Sequence, residues 1–485
     1  MKFLQKNIEL AGYPHYSRNN TGIINKKYTQ YQIKNFIGRK LNMKNFKAGA
    51  SSIDISPQKG IALCGYHNYE RKNIGIHDPL YASCIYINDG DKELVIVTAD
   101  LVFLDKQYVK DLRCNIEKTT GIPFANIMIS CTHTHSGPFT KIKVAKEEIQ
   151  FGWFSFAYPE YLEELKGKIV KVAAKAKDSA KFAKIGVGKG ICGKEKGIGG
   201  NRNNKDGITD PSVGVIGLKN LDNKWIAIWV KYSLHPSLLQ YDNMLVSADY
   251  PGYIREYIKM EKPEAVFLFA QGSTGDQSSR YFRSGETFDE AKRFGYSIGE
   301  EANKVLDRMV FVDKAVFANK SVNIIPPLKD FDTVKNAEKR FNDLKSKWLK
   351  LIEDKAGYTE IQTAYIDRLG AEFDLYHSKC KEEKRPFMWV ETEFPLEIQV
   401  IRLGDVCIVG VPGEIYVKYT LDIEKKSVVK NTFIVTLTNG TGAGYIVTKE
   451  AAQKRTFEFG VSLIKPESGD MIVNTATDII KELNG

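Results

Sequence analysis

The chain has 485 residues, of which 43% are hydrophobic and 27% charged, enough for a large buried core and ordinary for a globular protein. Its net charge of +11 is spread through interleaved Lys and Glu, with no compact basic motif, so no nucleic-acid partner is expected. No run of about 18 apolar residues occurs, which argues against a membrane-spanning helix, and Met1-Lys2-Phe3-Leu4-Gln5-Lys6-Asn7 has no apolar secretory core behind it.

In chain order, residues 1–47 are rich in Lys, Asn and Tyr and poorly periodic, and are expected to form an N-terminal extension. Regular patterning begins there. Short, mostly β-branched runs predict strands over 50–55, 80–87, 94–99, 126–131, 182–187, 213–218, 225–234, 265–270, 315–322, 397–402, 406–411 and 433–437. Helices are predicted over 159–176, 251–260, 288–308 and 413–423. Residues 330–385 differ, with charged stretches over 330–352 and 360–383 carrying apolar residues at helical spacing, and read as a helical insertion. The expected class is α/β: mixed sheets with flanking helices, a metal site on loops at strand C-terminal ends, and one helical insertion.

The seven cysteines are odd in number, lack CxxC spacing and sit mostly in apolar stretches such as Ile127-Met128-Ile129-Ser130-Cys131. That is the usage of reduced, buried thiols, and with the absent signal it predicts a cytoplasmic location.

Several predicted strands run straight into chemistry. The strand over 126–131 delivers Thr132-His133-Thr134-His135-Ser136-Gly137-Pro138, and two imidazoles at i and i+2 share a side if the backbone stays extended. Imidazole is a common zinc ligand. The strand over 225–234 ends in His235-Pro236, and the strand over 265–270 in Gln271-Gly272-Ser273-Thr274-Gly275-Asp276-Gln277-Ser278-Ser279-Arg280. The latter lacks the G-x-S-x-G elbow of a serine hydrolase. The strand over 406–411 leads to Pro412-Gly413-Glu414, where the carboxylate is either a metal ligand or a complement to a helix dipole. The last strand leads to Thr438-Asn439-Gly440-Thr441-Gly442-Ala443-Gly444-Tyr445, glycine-rich but without phosphate-loop spacing. Asp249 is either a helix N-cap or a carboxylate behind a metal ligand. Loops carrying His, His, Asp and Ser, Glu and Tyr at one set of strand ends are what a catalytic face presents.

The order of these motifs resembles the catalytic domain of the neutral ceramidases. The resemblance rests on His133–Pro138, Asn201-Arg202, His235-Pro236, Gly275-Asp276-Gln277-Ser278, Pro412–Glu414 and Tyr445–Thr448, with Gly75-Ile76-His77-Asp78 earlier, and runs from about residue 47 to 466. It implies one zinc ion per chain held by His133, His235, Glu414 and Tyr445. It implies His135 as acid/base, Arg202 at the substrate oxyanion, and Ser278, with Asp276 in the same loop, as residues needed for activity. The implied reaction is hydrolysis of an N-acyl amide, ceramide to fatty acid and sphingoid base, within a catalytic domain over 48–485. The sequence departs from the family where Ser278 is followed by Ser279-Arg280 instead of Pro-Asn, and where Phe139-Thr140 replaces glycines. The family's immunoglobulin-like C-terminal domain is not expected here. A smaller polar amide or ester is therefore the alternative substrate, and a non-catalytic interaction protein the remote one. Peripheral membrane contact is compatible with a lipid substrate, and nothing in the sequence sets the oligomeric state.

Overall fold

The computed structural model describes residues 43–66, 71–141, 157–385, 387, 393–442 and 444–485. Most of the expected N-terminal extension lies outside these. Lys44–Asn45 already pairs with Lys314–Ala315, and a compact unit runs from Lys44 to Gly485.

Among the described residues, twelve strands of five or more residues form two mixed sheets. They are β1 (Lys47–Asp54), β2 (Tyr81–Asn88), β3 (Glu93–Ala99), β4 (Ile127–Cys131), β5 (Lys181–Ile191), β6 (Ser212–Asn220), β7 (Trp225–Tyr232), β8 (Val266–Gln271), β9 (Phe317–Ile324), β10 (Leu396–Leu403), β11 (Val406–Gly410) and β12 (Asn431–Val435). The larger sheet runs β8-β7-β6-β5-β1-β2-β3-β4, with Phe311–Val312 added on β5; the smaller runs β9-β10-β11-β12. Parallel pairs occur at β3–β4, β7–β8 and β11–β12. Each of the twelve overlaps a run expected from the sequence.

Strand periodicity sorts side chains into layers. On β2, Ala82, Cys84 and Tyr86 face a helical layer, while Ile85 and Ile87 face the other sheet. The inter-sheet core holds Ile96, Met128, Trp229 and Leu268 from the larger sheet against Phe317, Ile401, Ile408 and Phe433 from the smaller. The helices α1 (Lys106–Thr120), α2 (Pro159–Asp178), α3 (Tyr250–Glu261) and α4 (Phe288–Asp307) cover the larger sheet. The outer face of the smaller sheet packs on α7 (Val417–Lys426) and α8 (Glu467–Asn484). Between α4 and α7 come α5 (Val334–Glu353) and α6 (Tyr358–Glu382), which pack on each other as a hairpin within the segment 330–385 read as a helical insertion. The result is four layers, helix–sheet–sheet–helix.

Helix α1 was not foreseen from the sequence. Asp105 caps its first turn by accepting from Tyr108 N, Gly121 ends it in the left-handed conformation, and Tyr108, Val109, Leu112 and Ile116 form the buried stripe. Leu112 and Ile116 are fully buried, each contributing roughly 1.5–3 kcal/mol. The helix expected from 413 instead begins at Val417, because Glu414–Ile415 pairs in parallel with Tyr445–Ile446 and Tyr416 takes the N-cap position. Asp249 is an N-cap, accepting from Tyr250 N at 2.7 Å and from Leu239 N at 3.1 Å.

Candidate active site

Three imidazoles meet where β4 and β7 end. His133 Nε2 lies 3.1 Å from His235 Nε2, which lies 3.0 Å from His135 Nε2. His133 and His135 do not converge on an extended backbone, as the i, i+2 spacing suggested. His133 has φ of 69°, a left-handed conformation that turns the two rings to 83° from each other. A non-glycine residue held there is the local strain that functional sites accumulate. The loop is pinned from behind. Arg71, fully buried, donates Nη2 to the His135 carbonyl at 2.6 Å. Gly65 lies against the His135 ring, where a Cβ would come within 2.5 Å of Cγ.

Proton positions follow from the hydrogen bonds. His133 Nδ1–H donates to the Val102 carbonyl at 2.9 Å, leaving its Nε2 a bare lone pair. His235 Nδ1 reaches the Thr274 carbonyl at 3.4 Å, with the same consequence. Burial, then the neighbouring His133 and His135, hold the His235 imidazole well below its usual pKa and so neutral. Glu414 joins from the end of β11, its Oε2 3.3 Å from His133 Nε2 and 3.7 Å from His235 Nδ1. That oxygen is buried and has no hydrogen-bond donor. An imidazole nitrogen from each of His133 and His235 and an orphaned carboxylate oxygen thus meet in a donor set that could hold a cation. The donor set suits a divalent metal; His133, His135 and His235 alone present ligand atoms within 4.8 Å of one another.

Tyr445 stands beside Glu414. Burial, then the Glu414 charge, drive its phenol pKa upward. The Arg202 guanidinium covers the phenol ring at 5.2 Å, and its Nε pairs with Glu458 at 2.7 Å. Glu458 in turn accepts from the Tyr416 hydroxyl at 2.9 Å and from Asn203 Nδ2 at 3.2 Å. Arg202 Nη2 is buried and has no acceptor.

A cavity of about 630 Å³ lies at this site. His133, His135, His235, Glu414 and Tyr445 lie along it together with Arg202 and Ser278. Ser278 Oγ accepts from Arg280 N at 3.2 Å. Asp276 is not on the wall. Its Oδ1 accepts from Val417 N and its Oδ2 from Asn201 Nδ2, both at 2.9 Å, so it ties its loop to the start of α7 and to the Asn201-Arg202 segment. Burial pushes its carboxyl up to about 6. Helix α6 supplies Tyr358, Ile366, Leu369 and Phe373 to the wall, joined by Phe457, Val461 and Leu463. The helical insertion is therefore part of the site. Sequence reasoning gave no role to Glu458, Arg71 or Gly65. The signal for Glu458 was the requirement of a buried arginine for a carboxylate.

A family model described as neutral/alkaline non-lysosomal ceramidase, N-terminal, matches residues 46–291. The neutral ceramidase of Pseudomonas aeruginosa is 23% identical over 87% of this chain and 69% of its own length. The crystal structure of neutral ceramidase from Pseudomonas aeruginosa superposes with a TM-score of 0.68 at 18% identity, covering 91% of this chain and 75% of that one. A structure titled ceramidase complexed with C2 gives a TM-score of 0.68 at 17% identity over the same shares. Motif order, fold and matched residues together show that the chain belongs to the neutral/alkaline non-lysosomal ceramidase family of hydrolases.

Proposed function

We propose that the protein is a zinc-dependent amidohydrolase that cleaves the N-acyl amide of a ceramide-like lipid to fatty acid and amine. The observation that carries this reading is the convergence of His133 Nε2, His235 Nε2 and the orphaned Glu414 Oε2 on a cavity with an apolar wall. In it, His133, His235, Glu414 and Tyr445 hold the metal. A bound zinc ion supplies a Lewis acid and brings the pKa of water to about 7.

The chain's own groups then have distinct tasks. His135, with Nε2 at the edge of the ligand cluster, takes a proton from the attacking water and returns one to the leaving nitrogen. Arg202 offers its unpartnered Nη2 to the oxyanion, and Glu458 fixes the guanidinium so that no reorganisation is needed as charge develops. Leu369, Phe373, Val461 and Leu463 receive the acyl chain and exclude water. The apolar wall favours a lipid over a small polar amide. The 3.1 Å approach of His133 to His235 disfavours a non-catalytic role, since the two can share one ion.

The test is fatty-acid release from a short-chain ceramide by protein stripped of metal and reloaded with zinc. Zinc-dependent release abolished by His133→Ala is expected. No release from protein that demonstrably holds one zinc would remove ceramide as the substrate.

A further inference from the structure

The cavity carries three arginines, and their charges are not equally met. Arg202 is paired with Glu458 at 2.7 Å, and Arg283 with Glu286 at 2.7 Å. Arg280 has no carboxylate partner among the described residues. Its Nη1 donates to the Arg202 carbonyl at 3.2 Å, its side chain is hydrogen-bonded to the Tyr281 side chain, and its backbone N–H is taken by Ser278 Oγ. The Glu458 and Asp367 charges reach it without forming an ion pair, and Glu458 is already engaged by Arg202, Asn203 and Tyr416.

Arg280 is half-buried on the cavity wall. Burial holds its pKa below the usual guanidinium value, and the Arg202 charge lowers it further. A guanidinium cannot shed its proton to escape such a position, so a cation placed there, with no carboxylate partner among the described residues, suits an anionic ligand.

We propose that Arg280 forms an anion subsite that recognises a carboxylate on the amine half of the substrate, making the preferred substrate class N-acyl amino acids. This rests on the amidohydrolase reading. The apolar wall takes the acyl half, so the charge belongs to the amine half. The planar fork of Arg280 matches a carboxylate in two-point contact, which a neutral hydroxyl cannot reproduce.

The experiment compares N-dodecanoylglycine with N-dodecanoylethanolamine, equal in acyl chain and near in size, on the zinc-loaded enzyme. The wild type is expected to show the higher kcat/KM on the glycine conjugate. Arg280→Gln is expected to lower the glycine-to-ethanolamine ratio about ten- to a hundredfold, with Arg280→Lys between. A wild type that prefers the ethanolamide, or an R280Q variant that lowers both substrates equally, overturns the subsite. Calorimetric binding of both amides to metal-free protein separates this from failure of the hydrolase itself. Arg280-dependent binding of the glycine conjugate without turnover keeps the subsite and removes the amidase; equal binding of both removes the subsite. Should R280Q fail to fold by circular dichroism, the wild-type preference and R280K decide.

Discussion

Glu414 and Tyr445 are direct partners across a two-residue parallel ribbon, Glu414 pairing with Tyr445 and Ile415 with Ile446. The ribbon joins the ends of β11 and β12, so a carboxylate and a phenol 31 positions apart in sequence enter the cavity side by side. It closes only because Gly413, at φ of 100°, passes the Gly444 carbonyl so tightly that a Cβ would lie 2.7 Å from that oxygen. Gly413→Ala touches no proposed ligand, yet it is expected to weaken metal binding about 10–100-fold, the usual cost of disturbing the support behind a ligand. Zinc retained after dialysis against a graded chelator measures it, and unaltered retention would show that the ribbon does not set the site.

His135 is the imidazole whose task the geometry leaves open between ligand and proton carrier, since its Nε2 is as near the cluster as the ligands are to one another. The proton-carrier role predicts that His135→Ala keeps one zinc per chain while kcat falls about 10²–10⁴-fold. Loss of zinc from this variant, measured by elemental analysis, would make it a ligand instead.

Much of this candidate site was legible along the chain because its residues lie in segments that follow strands. His133 follows β4, His235 follows β7, Glu414 follows β11 and Tyr445 follows β12, and strands of this kind announce themselves by β-branched runs. What stayed hidden depended on long-range contact. Glu458 lies in a short helix, Phe457–Val461, and nothing local marks it as the partner of Arg202, 256 positions away. The left-handed His133 conformation was equally invisible, because it is held by tertiary contacts, its backbone N–H donating to the Leu101 carbonyl and its ring Nδ1–H to the Val102 carbonyl. Helix α1 was missed although its caps and its stripe were present; Arg113 interrupts the stripe and is buried by pairing with Glu397 on β10.

The Arg202–Glu458 pair lends itself to a stability test. Glu458→Gln leaves a buried guanidinium without its counter-charge, and about 3–5 kcal/mol of unfolding free energy should be lost. The double replacement Arg202→Met with Glu458→Leu removes both charges and is expected to recover most of that loss while activity stays absent. Urea unfolding of the three proteins measures it; a single variant as stable as wild type would mean that water already serves Arg202.

Asp249 provides the pH prediction. Its burial pushes the carboxyl up to about 7 against an ordinary 3.8, although three backbone N–H groups oppose the shift. The folded state thus holds this proton more tightly than the unfolded chain. The stabilisation is complete below about 4 and is lost as pH rises through about 7. Asp249→Asn, permanently neutral, should lie below wild type at pH 4 for want of one acceptor, and the gap in Tm should narrow towards pH 7. A gap constant with pH would place the wild-type carboxylate in its charged form throughout.

The α5–α6 hairpin gives the last prediction, because it decides whether the insertion is decoration or substrate wall. Leu369 is buried on α6 and borders the cavity with Phe373, while Gly370 beside it packs against the Phe457 backbone, where a Cβ would come within 2.8 Å. The helix therefore has little freedom to retreat. Leu369→Trp adds bulk that must project into the cavity or force the helix outward, the latter costing about 1–3 kcal/mol. If this wall receives the acyl chain, the variant's kcat/KM should fall steeply with acyl length, short chains being spared and long chains losing about tenfold or more. The measurement is a series of amides differing only in acyl length. A uniform loss at every length, with Tm lowered, would instead mean that the hairpin supports the fold without touching the substrate.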